Sequence, residues 1–289
     1  MKRLLLFLML VAGMVWATDV SACGTLSTAN GQYTINTTLT TNGASCLIVN
    51  NDSISITCEG AGKFTGSNNV NNYAISSAKL HTSISNCNIS MFGRIVFNGW
   101  NATVSNINYD YTGSSLAKGV YITNGTATIT NSFFNTSGSA IRFENGGSNS
   151  IFDNLTIVNG YITFVSTITN ITVSNSMINH TSQALNFGNS YNSQRNRFIN
   201  LTICGVVANT AGGSPSQNYF ENVSNTLCGS VSKWNANAPQ NTSSFGNIGW
   251  FPLPERNNAT SALAVYYTGT GGGYNADGTV NSSLQCWFN

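Results

Sequence analysis

The sequence is poor in charge, proline and histidine, and it has no long apolar run after its first residues. Only 7% of the 289 residues are charged, 11 basic against 9 acidic, with 4 prolines and 2 histidines. Nucleic-acid binding needs clustered Lys and Arg, so these scattered charges argue against that class of partner. His81 and His180 are solitary, which gives no support to a histidine metal site or catalytic triad. We expect no metal and no cofactor.

The polar residues that are present are mostly neutral. The chain contains 43 Asn, 35 Ser and 32 Thr, while 41% of its residues are apolar. Disordered chains combine few apolar residues with high net charge, and this chain has neither property. Its Val, Ile, Phe and Tyr residues alternate with polar ones. This pattern indicates an all-β protein with polar turns.

The first residues are typical of an export signal. Lys2 and Arg3 precede an apolar stretch, Leu4 to Trp16, which is too short to span a bilayer comfortably. Cleavage sites follow at Ala17 and Ala22, so we assign residues 1–22 to a signal peptide, with an uncleaved anchor as the alternative. A lipoprotein-type cleavage that would lipidate Cys23 is a second alternative. We expect a secreted or cell-surface protein without a transmembrane segment in its mature chain. The oligomeric state is not indicated.

Export gives meaning to the seven cysteines, because an oxidising compartment permits disulfides. Their spacing suggests three pairs on neighbouring structural units and leaves Cys286 over. The pairs are Cys23 with Cys46, Cys58 with Cys87, and Cys204 with Cys228.

An asparagine recurs seven times at intervals of 20 to 25 residues, each time in the same setting. An apolar residue lies two positions before each one, and another lies three positions after all but the last. A motif with this period predicts a solenoid, and the short alternating segments leave no room for helices. The sequence therefore predicts a parallel β-helix of about eight to ten coils. The ladder asparagines are Asn86, Asn106, Asn131, Asn154, Asn175, Asn200 and Asn222.

Stacked asparagines can hydrogen-bond to each other along the solenoid axis, and they tolerate the left-handed backbone of a sharp corner. Fourteen Asn-x-Ser/Thr sequons occur, and three of them coincide with the ladder. If the ladder amides lie in the core, those three cannot carry glycans. Better glycosylation candidates fall in turns or near the C-terminus: Asn101, Asn124, Asn135, Asn241, Asn258 and Asn281.

Over residues 50–230, these Val/Ile/Phe-x-Asn strands resemble the right-handed parallel β-helix repeats of the pectin-lyase-like superfamily. The resemblance implies an N-terminal cap and first coil over residues 23–60 and coils over 61–230. An irregular C-terminal cap would cover 231–289. That superfamily contains polysaccharide lyases, glycoside hydrolases, adhesins and surface proteins of unknown role, so the fold does not decide the function.

The carboxylates needed for β-helix hydrolases or calcium-dependent lyases are not clustered in the sequence. Asp153 and Glu221 share a repeat position, but three coils would separate them by roughly 14 Å, beyond the range of a hydrolytic pair. The weak catalytic candidates are Arg142, Glu144 and Asp153, which fall within one coil. A solvated ion pair is the plainer interpretation of these three.

We therefore expect a non-enzymatic protein with a structural or adhesive role, in contact with cell-surface or extracellular polysaccharide. A carbohydrate-active enzyme, or a degenerate relative of one, is the first alternative. A carbohydrate-binding module that uses exposed aromatic residues is the second.

Overall fold

The computed structural model describes residues 17–187 except 42, 44, 146 and 167, together with 195–208, 219–224 and 248–249. These residues form an all-β solenoid of parallel strands with a right-handed type of winding. The strands are β1 Thr18–Asp19, β2 Gly24–Leu26, β3 Gln32–Ile35, β4 Thr38–Thr40, β5 Leu47–Val49, β6 Ser55–Cys58, β7 Lys63–Ser77, β8 Ser83–Ser85, β9 Asn88–Phe97, β10 Ala102–Ser105, β11 Asn108–Tyr111, β12 Lys118–Ile122, β13 Ala127–Thr136, β14 Ser139–Phe143, β15 Ile151–Val158, β16 Tyr161–Phe164, β17 Thr172–Asn186, β18 Arg197–Ala208, β19 Tyr219–Ser224 and β20 Ile248–Gly249.

Each coil crosses three columns of stacked strands. Column 1 contains the segments that precede the ladder asparagines, such as β8 and β10. Column 2 contains the segments that follow them, such as β11 and the second half of β13. Column 3 contains the strands between successive ladder positions, such as β12 and β14. Longer strands, including β13, β15 and β17, bend around the corner between columns 1 and 2.

Seven coils, from residue 24 to residue 179, are described almost without a gap. Strand segments of two further coils follow in β17, β18 and β19, so the described strands belong to nine coils (7 + 2). This agrees with the eight to ten coils expected from the sequence. The 23–60 stretch, expected to cap the solenoid, supplies strands that stack in register beneath the third coil.

The motif residues around the ladder line the core. Among the described side chains, every apolar residue two positions before a ladder asparagine is fully buried, as Val104, Ile129 and Phe152 illustrate. The apolar residues three positions after the ladder asparagines are buried as well, including Tyr109 and Phe134. Period-two alternation puts these residues inward on every coil, so stacking the coils makes one continuous apolar core.

The N-terminal strand β1 pairs with β3, although it lies within the segment assigned to the signal peptide. Cleavage after Ala17 would keep this strand, whereas cleavage after Ala22 would remove it. Residues 1–16 lie outside the described part of the chain, as does most of the 231–289 region expected to form the C-terminal cap. No helix in the described residues is long and apolar enough to cross a membrane.

Two of the three expected cysteine pairs are disulfides, and each joins adjacent coils. Cys23 is bonded to Cys46, and Cys58 is bonded to Cys87. The alternative of a lipid anchor on Cys23 is wrong for this structure. A lipid would be attached through the Cys23 sulfur, which is already bonded to Cys46. Cys204 is also disulfide-bonded. Its expected partner Cys228, like Cys286, lies outside the described residues.

The ladder asparagines form the corner between columns 1 and 2. The six with described side chains all have a left-handed backbone, with φ between 49° and 59°. Hydrogen bonds between side-chain amides join neighbouring coils. Asn106 donates to Asn86, Asn154 to Asn131, and Asn200 to Asn175. All six side chains are exposed, so burial in the core does not prevent the ladder sequons among them from carrying glycans. Asn222, the seventh, has no described side chain.

A second left-handed corner joins columns 3 and 1, and the repeating sequence motif does not reveal it. Asparagines with positive φ occupy it on several coils, including Asn101, Asn149 and Asn170. Asn170 donates its side-chain amide to Asn149 at 3.3 Å. Ser53 and His81 hold the same place on earlier coils, with φ values of 58° and 53°. Because the residue type varies here, the periodicity is hidden in the sequence.

Candidate binding surface

The outer face of column 3 carries bulges that change which side chains point outward. Between β9 and β12, the register passes from Lys118 opposite Arg94 to Val120 opposite Ile95, so Gly119 is an extra residue. A bulge of this kind breaks the alternation and re-aims the flanking side chains. It places Lys118 and Tyr121, three residues apart, on the same outer face. The Lys118 ammonium nitrogen lies 4.2 Å from the Tyr121 ring centroid.

Arg94 occupies the centre of this face and is held in place by the outer segment of β7. Its Nε donates to the Val70 carbonyl at 3.2 Å, and its Nη2 donates to the Asn71 side-chain oxygen at 3.0 Å. The guanidinium carbon also lies 5.4 Å from the Tyr73 ring centroid and 5.8 Å from that of Tyr121. Both distances are within cation–π range, so the rings help to fix the position of the charge.

The close approach of β7 to β9 depends on a glycine. A Cβ atom on Gly93 would lie only 1.9 Å from the Val70 carbonyl oxygen. No side chain fits there unless the backbone moves, so Gly93 lets the Val70 carbonyl reach the adjacent Arg94.

Glu144 follows β14 and forms an ion pair with Arg142. The Nε···Oε2 distance is 2.8 Å, and a second nitrogen of the same guanidinium lies 3.4 Å from Oε1. The pKa of the Glu144 carboxyl is lowered, first by this hydrogen bonding and then by the Arg142 charge. Both side chains are partly exposed, at 26% and 31%.

Six side chains on the outer face of column 3, the three cations, two tyrosines and one glutamate described above, form one group that we call the cation–tyrosine cluster. It carries three positive charges and a single carboxylate, and its members are half-buried. The pKa of Lys118 is lowered by burial and by the charges of Arg142 and Arg94. Like charges have therefore been brought together without enough acidic groups to neutralise them. The cluster consists of Tyr73, Arg94, Lys118, Tyr121, Arg142 and Glu144.

The structure does not bring the three sequence-predicted catalytic candidates together. Arg142 and Glu144 belong to the cluster, but Asp153 lies on column 1. There its Oδ1 accepts hydrogen bonds from Ser174 and Asn175, both at 2.7 Å. Asp153 therefore supports the corner beside the ladder, and it lies away from column 3 because the first half of β15 belongs to column 1. Three coils separate Asp153 from Glu221, as expected. The register on column 1 pairs Asp153 with Ser174, Ser174 with Ile199, and Ile199 with Glu221.

Three of the six glycosylation candidates lie in described regions. Asn101 and Asn124 are exposed in the turns between columns 3 and 1. Asn135 is half-buried, and its amide nitrogen donates to Asp110 at 2.9 Å. Asn241, Asn258 and Asn281 lie outside the described residues. That these sites are glycosylated remains a prediction.

The cluster was missed because its members are not in a recognisable sequence motif. Only the bulges at Ala74, Gly119 and Ala140 put them on one face. A small residue just before the inward strand residue, in β7, β12 and β14, was the available signal. The described residues contain no group of three or more His, Cys, Asp or Glu side chains that could hold a metal ion.

Comparisons with protein-family models, curated proteins and solved structures found no match to this chain.

Proposed function

We propose that this protein is a secreted or cell-surface member of the pectin-lyase-like β-helix superfamily with a structural or adhesive role. In this proposal, the cation–tyrosine cluster binds an acidic glycan without cleaving it. The observation that carries the proposal is the grouping of Arg94, Lys118 and Arg142 on one face of a chain that is otherwise poor in charge.

The charge of the cluster favours an anionic ligand. Three cations face one carboxylate, and that carboxylate already pairs with Arg142. Partial burial and then the nearby charges of Arg142 and Arg94 disfavour the charged form of Lys118 and lower its pKa. A bound anion would offset the repulsion, since it supplies the missing negative charge close to the amine.

The shape of the cluster favours a chain-like ligand over a single small anion. Tyr73, Arg94 and Lys118 are register partners on successive coils. Adjacent coils are about 4.8 Å apart, so the row runs along the solenoid axis. The tyrosine rings supply flat apolar surfaces between the cations. A polysaccharide combines repeated charge with apolar ring faces, which matches this arrangement.

The carboxylate count argues against hydrolysis at this site. Glycosidases of the usual type use two carboxyl groups about 5–9.5 Å apart. Glu144 is the cluster's one acidic member, and its lowered pKa makes it a poor proton donor.

A polysaccharide lyase is the second candidate, and one observation favours it. The lowered pKa of Lys118 increases the fraction of neutral amine, which is the form that abstracts a proton. Cleavage by this route would release unsaturated products that absorb in the ultraviolet.

Binding to polygalacturonate, with its methyl-esterified form as the uncharged control, tests the proposal. We expect the charged polymer alone to bind, with an affinity that falls as salt rises. Arg94→Gln and Lys118→Gln should weaken binding, whereas Lys63→Gln, an exposed lysine on column 2, should not. No binding to this or other acidic polysaccharides would contradict the proposal. Ultraviolet-absorbing products that disappear in Lys118→Gln would establish the lyase instead.

A titration of Lys118 by NMR gives a second readout. If the ligand supplies a negative charge beside the amine, the pKa of Lys118 must rise when the polymer binds. An unchanged pKa in the bound state would place the ligand elsewhere.

A further inference from the structure

The outer face of column 1 carries a regular arrangement of hydroxyl groups. From the second to the fifth coil its strands pair without a bulge. On each of these coils, both outward residues are serine or threonine. We call these eight side chains the hydroxyl array. Its members are Ser55 and Thr57, Ser83 and Ser85, Thr103 and Ser105, and Thr128 and Thr130.

The array is regular and lies directly on the buried core. The inward residue between each pair of hydroxyls is fully buried, and the four are Ile56, Ile84, Val104 and Ile129. Column 1 stacks these residues directly above one another, so the outward residues form two straight rows along the axis. Threonine is stiff about its first side-chain bond, which further limits movement of its hydroxyl and methyl groups.

Most of the hydroxyls are available to solvent. Thr57 and Ser85 bond to each other at 3.1 Å. The other six hydroxyl groups make no hydrogen bond to the part of the chain that the structure describes. None of the eight residues is charged. The row that contains Thr57 and Thr130 has a carboxylate beyond each end, Asp19 two strands below Thr57 and Asp153 directly above Thr130.

The spacing of each row matches that of tetrahedrally ordered water. Two oxygens that bond to one water at about 2.75 Å, with a tetrahedral angle between them, lie about 4.5 Å apart. Adjacent strands of a sheet lie about 4.7–4.9 Å apart, within roughly a tenth of that value. One water can therefore bridge successive hydroxyls of a row with nearly the geometry it has in ice, except between Thr57 and Ser85, which bond to each other directly. A charged side chain would orient water radially and break this order.

We propose that the hydroxyl array binds the surface of ice. The site is on column 1 and is independent of the acidic-glycan site on column 3. Ordered water is favoured over a sugar polymer because the array contains no aromatic ring on which a sugar could stack, whereas both rows repeat at the spacing of bonded water.

The test uses purified full-length protein and slow growth of an ice hemisphere from a dilute solution. We expect the wild-type protein to enter the ice and to inhibit ice recrystallisation. Replacing Thr103 and Thr128 with tyrosine places two bulky rings on the array and should abolish both activities. Thr156→Tyr, an outward residue of β15 on column 2, is the matched control and should retain them. Circular dichroism and melting curves check that each variant folds.

Two outcomes would overturn the proposal. In the first, folded wild-type protein stays in the liquid, or the double variant enters the ice as the wild type does. In the second, the protein ignores ice but binds crystalline cellulose through Thr103 and Thr128, which would assign the array to a neutral polysaccharide. Neither outcome depends on polygalacturonate binding, so this proposal and the column 3 proposal fail separately.

Discussion

Columns 1 and 3 are built on the same buried core, yet their outer faces differ in regularity and charge. Column 1 keeps its register from the second coil to the fifth and presents neutral hydroxyls. Column 3 has a register shift on several coils and presents cations with tyrosines. Both columns bury their inward residues equally well, so the core tolerates bulges. A solenoid can thus place a repetitive surface and an irregular one on a single frame.

The largest effect should come from the core that both columns share. Phe152 on column 1 and Phe143 on column 3 are fully buried, and their ring centroids lie 5.3 Å apart. Each Phe→Ala change should lower the free energy of unfolding by about 3–5 kcal/mol, measured by denaturant titration. Because the rings touch, the double variant should lose a different amount from the sum. A small loss at Phe143 alone would mean that the column 3 core is loosely packed.

Removing the disulfide between Cys58 and Cys87 should come next. The bond closes a loop of 29 residues. Loop entropy predicts a loss of about 3–4 kcal/mol in the Ser/Ser double variant, measured in the same titration. A matched pair of serines at Cys23 and Cys46 should cost a similar amount. Glycan and ice binding should persist in both variants under native conditions, because neither bond contributes to either surface.

Gly93→Ala should damage column 3 while leaving column 1 intact. The added methyl group would clash with the Val70 backbone and displace the segment that holds Arg94. We expect a loss of about 1–3 kcal/mol in stability. Polygalacturonate binding should weaken and ice binding should remain. If both activities fall equally in folded protein, the two faces are not independent.

A substitution pair at Asn131 separates the backbone and side-chain roles of the ladder. Its φ of 50° suits glycine but strains alanine, and its side-chain oxygen accepts the Asn154 amide at 2.8 Å. Asn131→Ala should therefore cost about 1–2 kcal/mol through the left-handed backbone. Asn131→Gly should cost less, because only the exposed hydrogen bond is lost. Thermal melts of the two variants would decide this. A glycine variant as unstable as the alanine one would make the amide ladder the main stabiliser.

The smallest effect should come from the Arg142–Glu144 ion pair. A double-mutant cycle with Gln at both positions should give a coupling of about 0.2–1 kcal/mol, because the pair is partly exposed. The pKa of Glu144 is lower in the folded state, so this contribution is present above the usual carboxyl range. It is lost as pH falls through the folded pKa. Stability measured against pH should show that loss in wild type and not in Glu144→Gln.

The repeating parts of the fold were predictable because each coil repeats the same physical constraint. An apolar residue two positions before Asn106 must face inward, and Asn106 itself must accept a left-handed corner. The exposure of the ladder was not predictable from that pattern, since periodicity gives a position along the coil and not its depth. The cluster was hidden for another reason. Lys118 and Tyr121 share a face only because Gly119 interrupts the alternation, and a one-residue irregularity leaves the overall period unchanged.

The positions of the cysteines divide the rod mechanically. Cys23–Cys46 and Cys58–Cys87 fasten the first three coils together, and Cys204 is bonded further along. No cysteine occurs between Cys87 and Cys204. Under tension the two loops closed by these disulfides cannot extend. The roughly 116 residues between Cys87 and Cys204 could extend to about 400 Å. A protein of this design would yield first in its middle coils, while the disulfides keep the first three coils joined.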